Sequence, residues 1–133
     1  MPETFSFEDL WRAGMLEECA GLVASAQDAG SAYRRARVAL AQESPRLALE
    51  ELEASLRHAA ASNEPGEAAH ARARRAEVNQ WLGQSREAMD EARFVLEDRA
   101  APPFARAVAS RTLGRVAAAG KDIEGALNRF DDA

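Results

Sequence analysis

The chain has 133 residues, a net charge of −5 and 47% apolar content, which is enough for the core of a single domain spanning 1–133. The acidic balance argues against a general nucleic-acid binder. One cysteine excludes an internal disulfide and suits a reducing compartment, so the expected location is cytoplasmic.

The opening MPETFSFEDLW carries acids where a secretory leader would carry a basic start and an apolar run. No stretch is long enough to read as a membrane span. Alanine dominates the apolar set and β-branched residues are sparse, which favours closely packed helices over a sheet. Ser6–Arg12 reads as a short helix, with Ser6 and Asp9 as an N-terminal capping pattern and Phe7, Leu10 and Trp11 as its apolar face. Gly14 breaks it. Met15–Asp28 reads as a second helix with Cys19 on its apolar stripe, closed by Gly30. Ser31–Gln42 and Pro45–Ala61 follow as a helix pair, and Ser62-Asn63-Glu64-Pro65-Gly66 is the clearest turn. Glu67–Leu82 and Gln84–Arg99 form the next pair, Pro102-Pro103 the next punctuation, and Phe104–Ala119 with Asp122–Ala133 the last pair.

The pairs repeat. Gly83 ends a helix after Trp81 and Leu82, and Ala88, Ala92 and Val95 then share one face. Gly120 ends a helix carrying Leu113, Gly114 and Ala117, and Ala126, Phe130 and Ala133 follow. Upstream, Ala48, Leu52 and Ser55 keep the same steps, with Ser44-Pro45 in place of the glycine. The copies lie 40 and 38 residues apart. Alternating small and large residues let two helices interlock, and stacking of neighbouring pairs completes a core that one pair cannot bury alone. The pattern resembles the tetratricopeptide repeat family, most closely in LGRVAAAGKDIEGALNRFDDA, although the family period is about 34 residues. Arg35 and Arg75 depart from it, standing where the last copy has Leu113. The resemblance implies an all-α superhelix, a solenoid of about three helix pairs (31–62, 63–101 and 102–133) behind an N-terminal helical cap, 1–30.

Charge is segregated along this repeat. The first helices of the three pairs carry nine arginines against Glu67 and Glu77, whereas the second helices and the first thirty residues are net acidic. In tetratricopeptide-like proteins the first helices line a concave surface that grips peptides. The resemblance therefore implies a groove of Tyr33, Arg34, Arg37, Arg74, Glu77, Arg111 and Arg115, with His70 and Trp81 near its rim. An arginine fork donates two parallel hydrogen bonds to a carboxylate, so the expected partner is an acidic peptide or protein. The plainer reading is that these arginines pair with acids of neighbouring helices, or are solvated.

Other candidates point to packing rather than chemistry. Cys19 lies on an apolar stripe and suits a small core residue. His58 and His70 have no ligand spacing with each other or with Cys19, so no metal and no cofactor are expected. Asp90-Glu91 and Glu97-Asp98 read as solvated acids, and Trp11 and Trp81 suit packing better than partner contact. A glycine-rich phosphate loop, HExxH and GxSxG are all missing, so no catalytic residue is assigned. The function expected is a non-enzymatic scaffold for protein–protein interaction. The alternatives are a self-associating homodimer through the uncapped last helix with Leu127 and Phe130, and nucleic-acid contact by the arginine helices.

Overall fold

The structure, a computed structural model, describes the backbone of residues 6–131 and the side chains of residues 6–121. Among the described residues there are seven α-helices and no strand: α1 Phe7–Arg12, α2 Leu16–Val23, α3 Ala29–Ala41, α4 Pro45–Ala61, α5 Pro65–Trp81, α6 Ser85–Glu97 and α7 Pro103–Asp131. No described helix is long and apolar enough to cross a membrane. The chain forms two compact units, residues 1–71 and 72–133, with the division inside α5.

In the first unit α1 begins with a full capping box: Asp9 N–H donates to Ser6 Oγ, and Ser6 N–H donates to Asp9 Oδ2, each across 3.2 Å. Two donors that the first turn leaves unsatisfied are thereby paired. Phe7, Leu10, Cys19, Val23 and Val38 form one core cluster, with Trp11 and Ala20 against it. Then α2 packs on α3, and α3 packs on α4. Both α2 and α3 differ from the sequence expectation. The former stops at Val23, where the carbonyls of Val23 and Ala26 find a donor outside the helix: Arg35 Nη1 donates to both, each at 2.7 Å. The latter starts early because Asp28 is its N-cap, accepting from Ser31 N–H at 2.8 Å. Gly30, expected to close α2, sits instead in the first turn of α3.

The second unit contains the rest of α5, together with α6 and α7, and α6 packs on α7. The faces of α4 and α6 read from the sequence are buried: Ala48, Leu52 and Ser55 in one, Ala88, Ala92 and Val95 in the other. Ser55 satisfies its buried hydroxyl by donating to Ala29 O at 2.8 Å. Alanine at these sites permits close helix approach, and a larger side chain there would overpack by about 1–3 kcal/mol.

One turn recurs four times. A helix ends, one residue takes positive φ, and the next N–H reaches back five residues. Among the described residues the positive-φ positions are Gly14, Glu43, Asn63 and Gly83. The closing bonds are Met15 N–H to Leu10 O, Ser44 N–H to Ala39 O, Glu64 N–H to Ala59 O and Gln84 N–H to Asn79 O. This six-to-one closure satisfies a carbonyl that the helix end would leave bare. Ser44 does occupy the N-cap position of α4, but its side chain makes no capping bond; Glu43 supplies the turn instead.

The break expected at Gly120 does not occur. Here α7 runs unbroken from Pro103 to Asp131, so a single long helix stands where a helix pair, Phe104–Ala119 and Asp122–Ala133, was expected. A glycine costs a helix interior only about 1 kcal/mol and does not by itself end it. The side chains of Ala126, Leu127, Phe130 and Ala133 lie outside the described residues. Gly83 and Gly120 should therefore respond oppositely to alanine. Gly83→Ala, at φ +78, should destabilise by about 1 kcal/mol, and Gly120→Ala, with open space at its Cβ, should stabilise by up to about 1 kcal/mol in urea unfolding.

Candidate functional site

On α5 the buried set includes Ala73, Ala76, Glu77 and Val78. Alanine holds the neighbouring helices close, and this buries a carboxylate among them: Glu77 is only 2% exposed. A buried charge is tolerated only when paired and hydrogen-bonded. Three arginines do this. Arg74, one turn before Glu77 on α5, donates from Nη1 to Oε1 at 2.9 Å. Arg111 of α7 donates from Nη2 to Oε2 at 2.7 Å, and Arg115 Nη1 lies 3.5 Å from the same oxygen. Arg111 and Arg115 are four residues apart on one helix, a spacing at which like charges repel. The shared carboxylate offsets that repulsion.

The cluster is unbalanced: three guanidinium groups face one carboxylate. Arg111 and Arg115 keep 50% and 43% of their side-chain surface in solvent. Each guanidinium has five N–H donors, and the single carboxylate engages few of them. Glu77 thus orients the two arginines from below while their outer edges stay open to an anion. Arg74 lies with its guanidinium carbon 5.4 Å from the ring centre of Phe104, which is 56% exposed.

Of the seven residues expected in the groove, the structure brings Arg74, Glu77, Arg111 and Arg115 together in the second unit. Tyr33, Arg34 and Arg37 belong to the first unit. Tyr33 lies edge-on to His70 at 6.1 Å between ring centres. Arg37 is engaged by α1: its Nη1 and Nη2 donate to the two oxygens of Glu8 at 2.5 and 3.3 Å. Its guanidinium also lies 5.1 Å from the Phe7 ring centre and 4.5 Å from that of Trp11, and Arg34 lies 5.6 Å from Phe7. The plainer sequence reading holds for Arg37, whose fork faces an acid of its own chain.

Arg35 and Arg75, the departures from the repeat, also pair internally. Arg35 Nε donates to Glu51 at 2.8 Å, and Arg75 grips both oxygens of Glu91 at 2.5 and 2.6 Å. Both bridges span sixteen residues, and the second lies forty residues after the first. Sequence reasoning missed Glu8 and Phe104. The signal available for Glu8 was its place beside Phe7 on a helix facing basic α3.

Other side chains are structural. Cys19 is fully buried, its Sγ lies 3.8 Å from Phe7 O, and burial pushes its thiol up. Trp11 stacks on Phe7 with ring centres 5.8 Å apart, whereas Trp81, expected to be packed, is 52% exposed. Comparison with protein-family models, curated proteins and solved structures finds no match.

Removing the pivot should be costly. Glu77→Ala leaves three arginines crowded without their anion, and unfolding in urea should show a loss of about 3–5 kcal/mol, against about 1 kcal/mol or less for the more open Glu8→Ala. Acid should also act through Glu8. Its hydrogen bonds to Arg37 hold the carboxyl below its ordinary value of 4.5. A depressed carboxyl contributes stability above that ordinary value and loses it as pH falls through the lower folded value. The urea midpoint should hold from neutral pH down to about pH 5 and then fall, and the fall should be shallower in Glu8→Gln.

Proposed function

We propose that this chain is a non-enzymatic protein-interaction module that takes an acidic segment of a partner protein on Arg111 and Arg115. The observation that carries this is the excess of positive charge held on one buried carboxylate, in a chain whose overall charge is −5. Preorganised guanidinium groups lose little side-chain freedom on binding and match carboxylates in geometry. A local positive patch also steers an acidic partner towards it, which matters more in an otherwise acidic molecule.

The wider frame of the proposal is a tetratricopeptide-like helical repeat whose pairs stack as a superhelix, working in the cytoplasm. The bridges and turns that recur at forty residues support the repeat, and the buried, unpaired Cys19 suits a reducing compartment. Arg34 and Arg37 are left out of the binding set, since α1 faces them.

The test is the double variant Arg111→Gln/Arg115→Gln, which removes charge but keeps hydrogen-bonding capacity, leaving Arg74 on Glu77. Affinity for a fluorescein-labelled acidic peptide should fall at least tenfold, with circular dichroism unchanged. Raising salt should weaken the parent complex and barely affect the variant. Equal affinity in parent and variant overturns the proposal.

A further inference from the structure

We infer that the segment received by Arg111 and Arg115 is a short amphipathic helix that carries an aromatic side chain within one turn of a carboxylate. This rests on the acidic-partner reading above and narrows it.

The first unit contains such a recognition within the chain. The helix α1 presents Phe7, Glu8 and Trp11 to the arginines of α3. Glu8 takes the Arg37 fork with both oxygens, while the rings of Phe7 and Trp11 lie against the same guanidinium. Acid and ring act together: the ring excludes water beside the ion pair and adds a cation–π contact. An exposed carboxylate–arginine pair alone contributes too little for a specific complex.

The second unit offers the receiving half of that arrangement. On α7, Phe104, Val108, Arg111 and Arg115 follow at steps of four, three and four, so they share one face. On α5, Arg74, Glu77 and Trp81 do the same. Arg74 meets Phe104, and Glu77 meets Arg111 and Arg115, so the two stripes run side by side in the same direction. Exposed rings, Phe104 and Trp81, lie towards the two ends, and the surplus positive charge lies between them. From Phe104 to Arg115 the surface is about 16 Å long, the length of three helical turns. A helix with a carboxylate at its middle and rings beside it complements that surface in charge and in apolar contact, and aromatic anchors commonly dominate such interfaces.

The experiment uses the full chain and two labelled probes followed by fluorescence anisotropy. One is a capped synthetic peptide with the sequence of residues 6–13, SFEDLWRA. The other is the same peptide with Phe7→Ala and Trp11→Ala, equal in charge. The ring-bearing probe should bind at least tenfold more tightly. That advantage should vanish in Phe104→Ala, and all binding should be lost in Arg111→Gln/Arg115→Gln but kept in Arg37→Gln. Equal, arginine-dependent affinity for both probes overturns the inference and leaves the acidic-partner reading standing. No binding of either probe overturns both. Loss in Arg37→Gln with no loss in Arg111→Gln/Arg115→Gln means that the probe displaces α1 from its own seat, and this also overturns the inference.

Discussion

Helices that meet through alanine come close together but bury little apolar surface per contact. Among the described residues most of the buried apolar ones are alanines, and Leu52 is the largest apolar side chain among the fully buried. Under that constraint the long polar side chains around the alanine seams carry unusual weight. Arginine stems cover the seam and their heads find acids on the next helix. Arg35 to Glu51, Arg75 to Glu91, Arg37 to Glu8 and the arginines on Glu77 all follow from this one condition.

Those pairings are not equivalent. Most are balanced, one guanidinium to one carboxylate, and serve as bridges between helices. The group on Glu77 is different because the carboxylate is buried and outnumbered. Burial fixes the position of the anion, and the anion fixes the arginines, while the surplus charge remains at the surface. Under the proposed function, the group that stabilises the packing and the surface that receives the partner are the same set of atoms. The α1 helix supplies the contrast: where an acid with two neighbouring rings is delivered by the chain itself, the arginine beneath is no longer open to a guest.

The sequence made the helical class and the buried faces of α4 and α6 legible, because the spacing of Ala48, Leu52 and Ser55, and of Ala88, Ala92 and Val95, is a local signal. It also made the capping box at Ser6 legible, for the same reason. The helix ends were less so. The carbonyl at the early end of α2 finds its donor in Arg35, twelve residues downstream, and the turn at Glu43 depends on a left-handed residue that composition does not announce. Gly120 misled because glycine permits a break without requiring one. Among the arginines, nothing local separates Arg37, held by Glu8, from Arg111, half open on Glu77. That distinction comes from which acids the packing carries to each guanidinium, a tertiary fact. Arg35 and Arg75, which depart from the expected repeat pattern, form two bridges of the same sixteen-residue span, forty residues apart.

The forty-residue offset between the Arg35–Glu51 and Arg75–Glu91 bridges has a consequence for how such a chain can change in length. Each bridge closes inside its own pair of helices, and each pair's internal turn is closed by its own backbone bond. Duplicating a whole forty-residue stretch therefore keeps each of these two bridges with its partner, whereas removing α4 or α6 alone would strand Arg35 or Arg75. Growth by such complete stretches leaves both bridges paired, and it keeps Glu77 with Arg74, Arg111 and Arg115 wherever the addition lies outside α5 to α7.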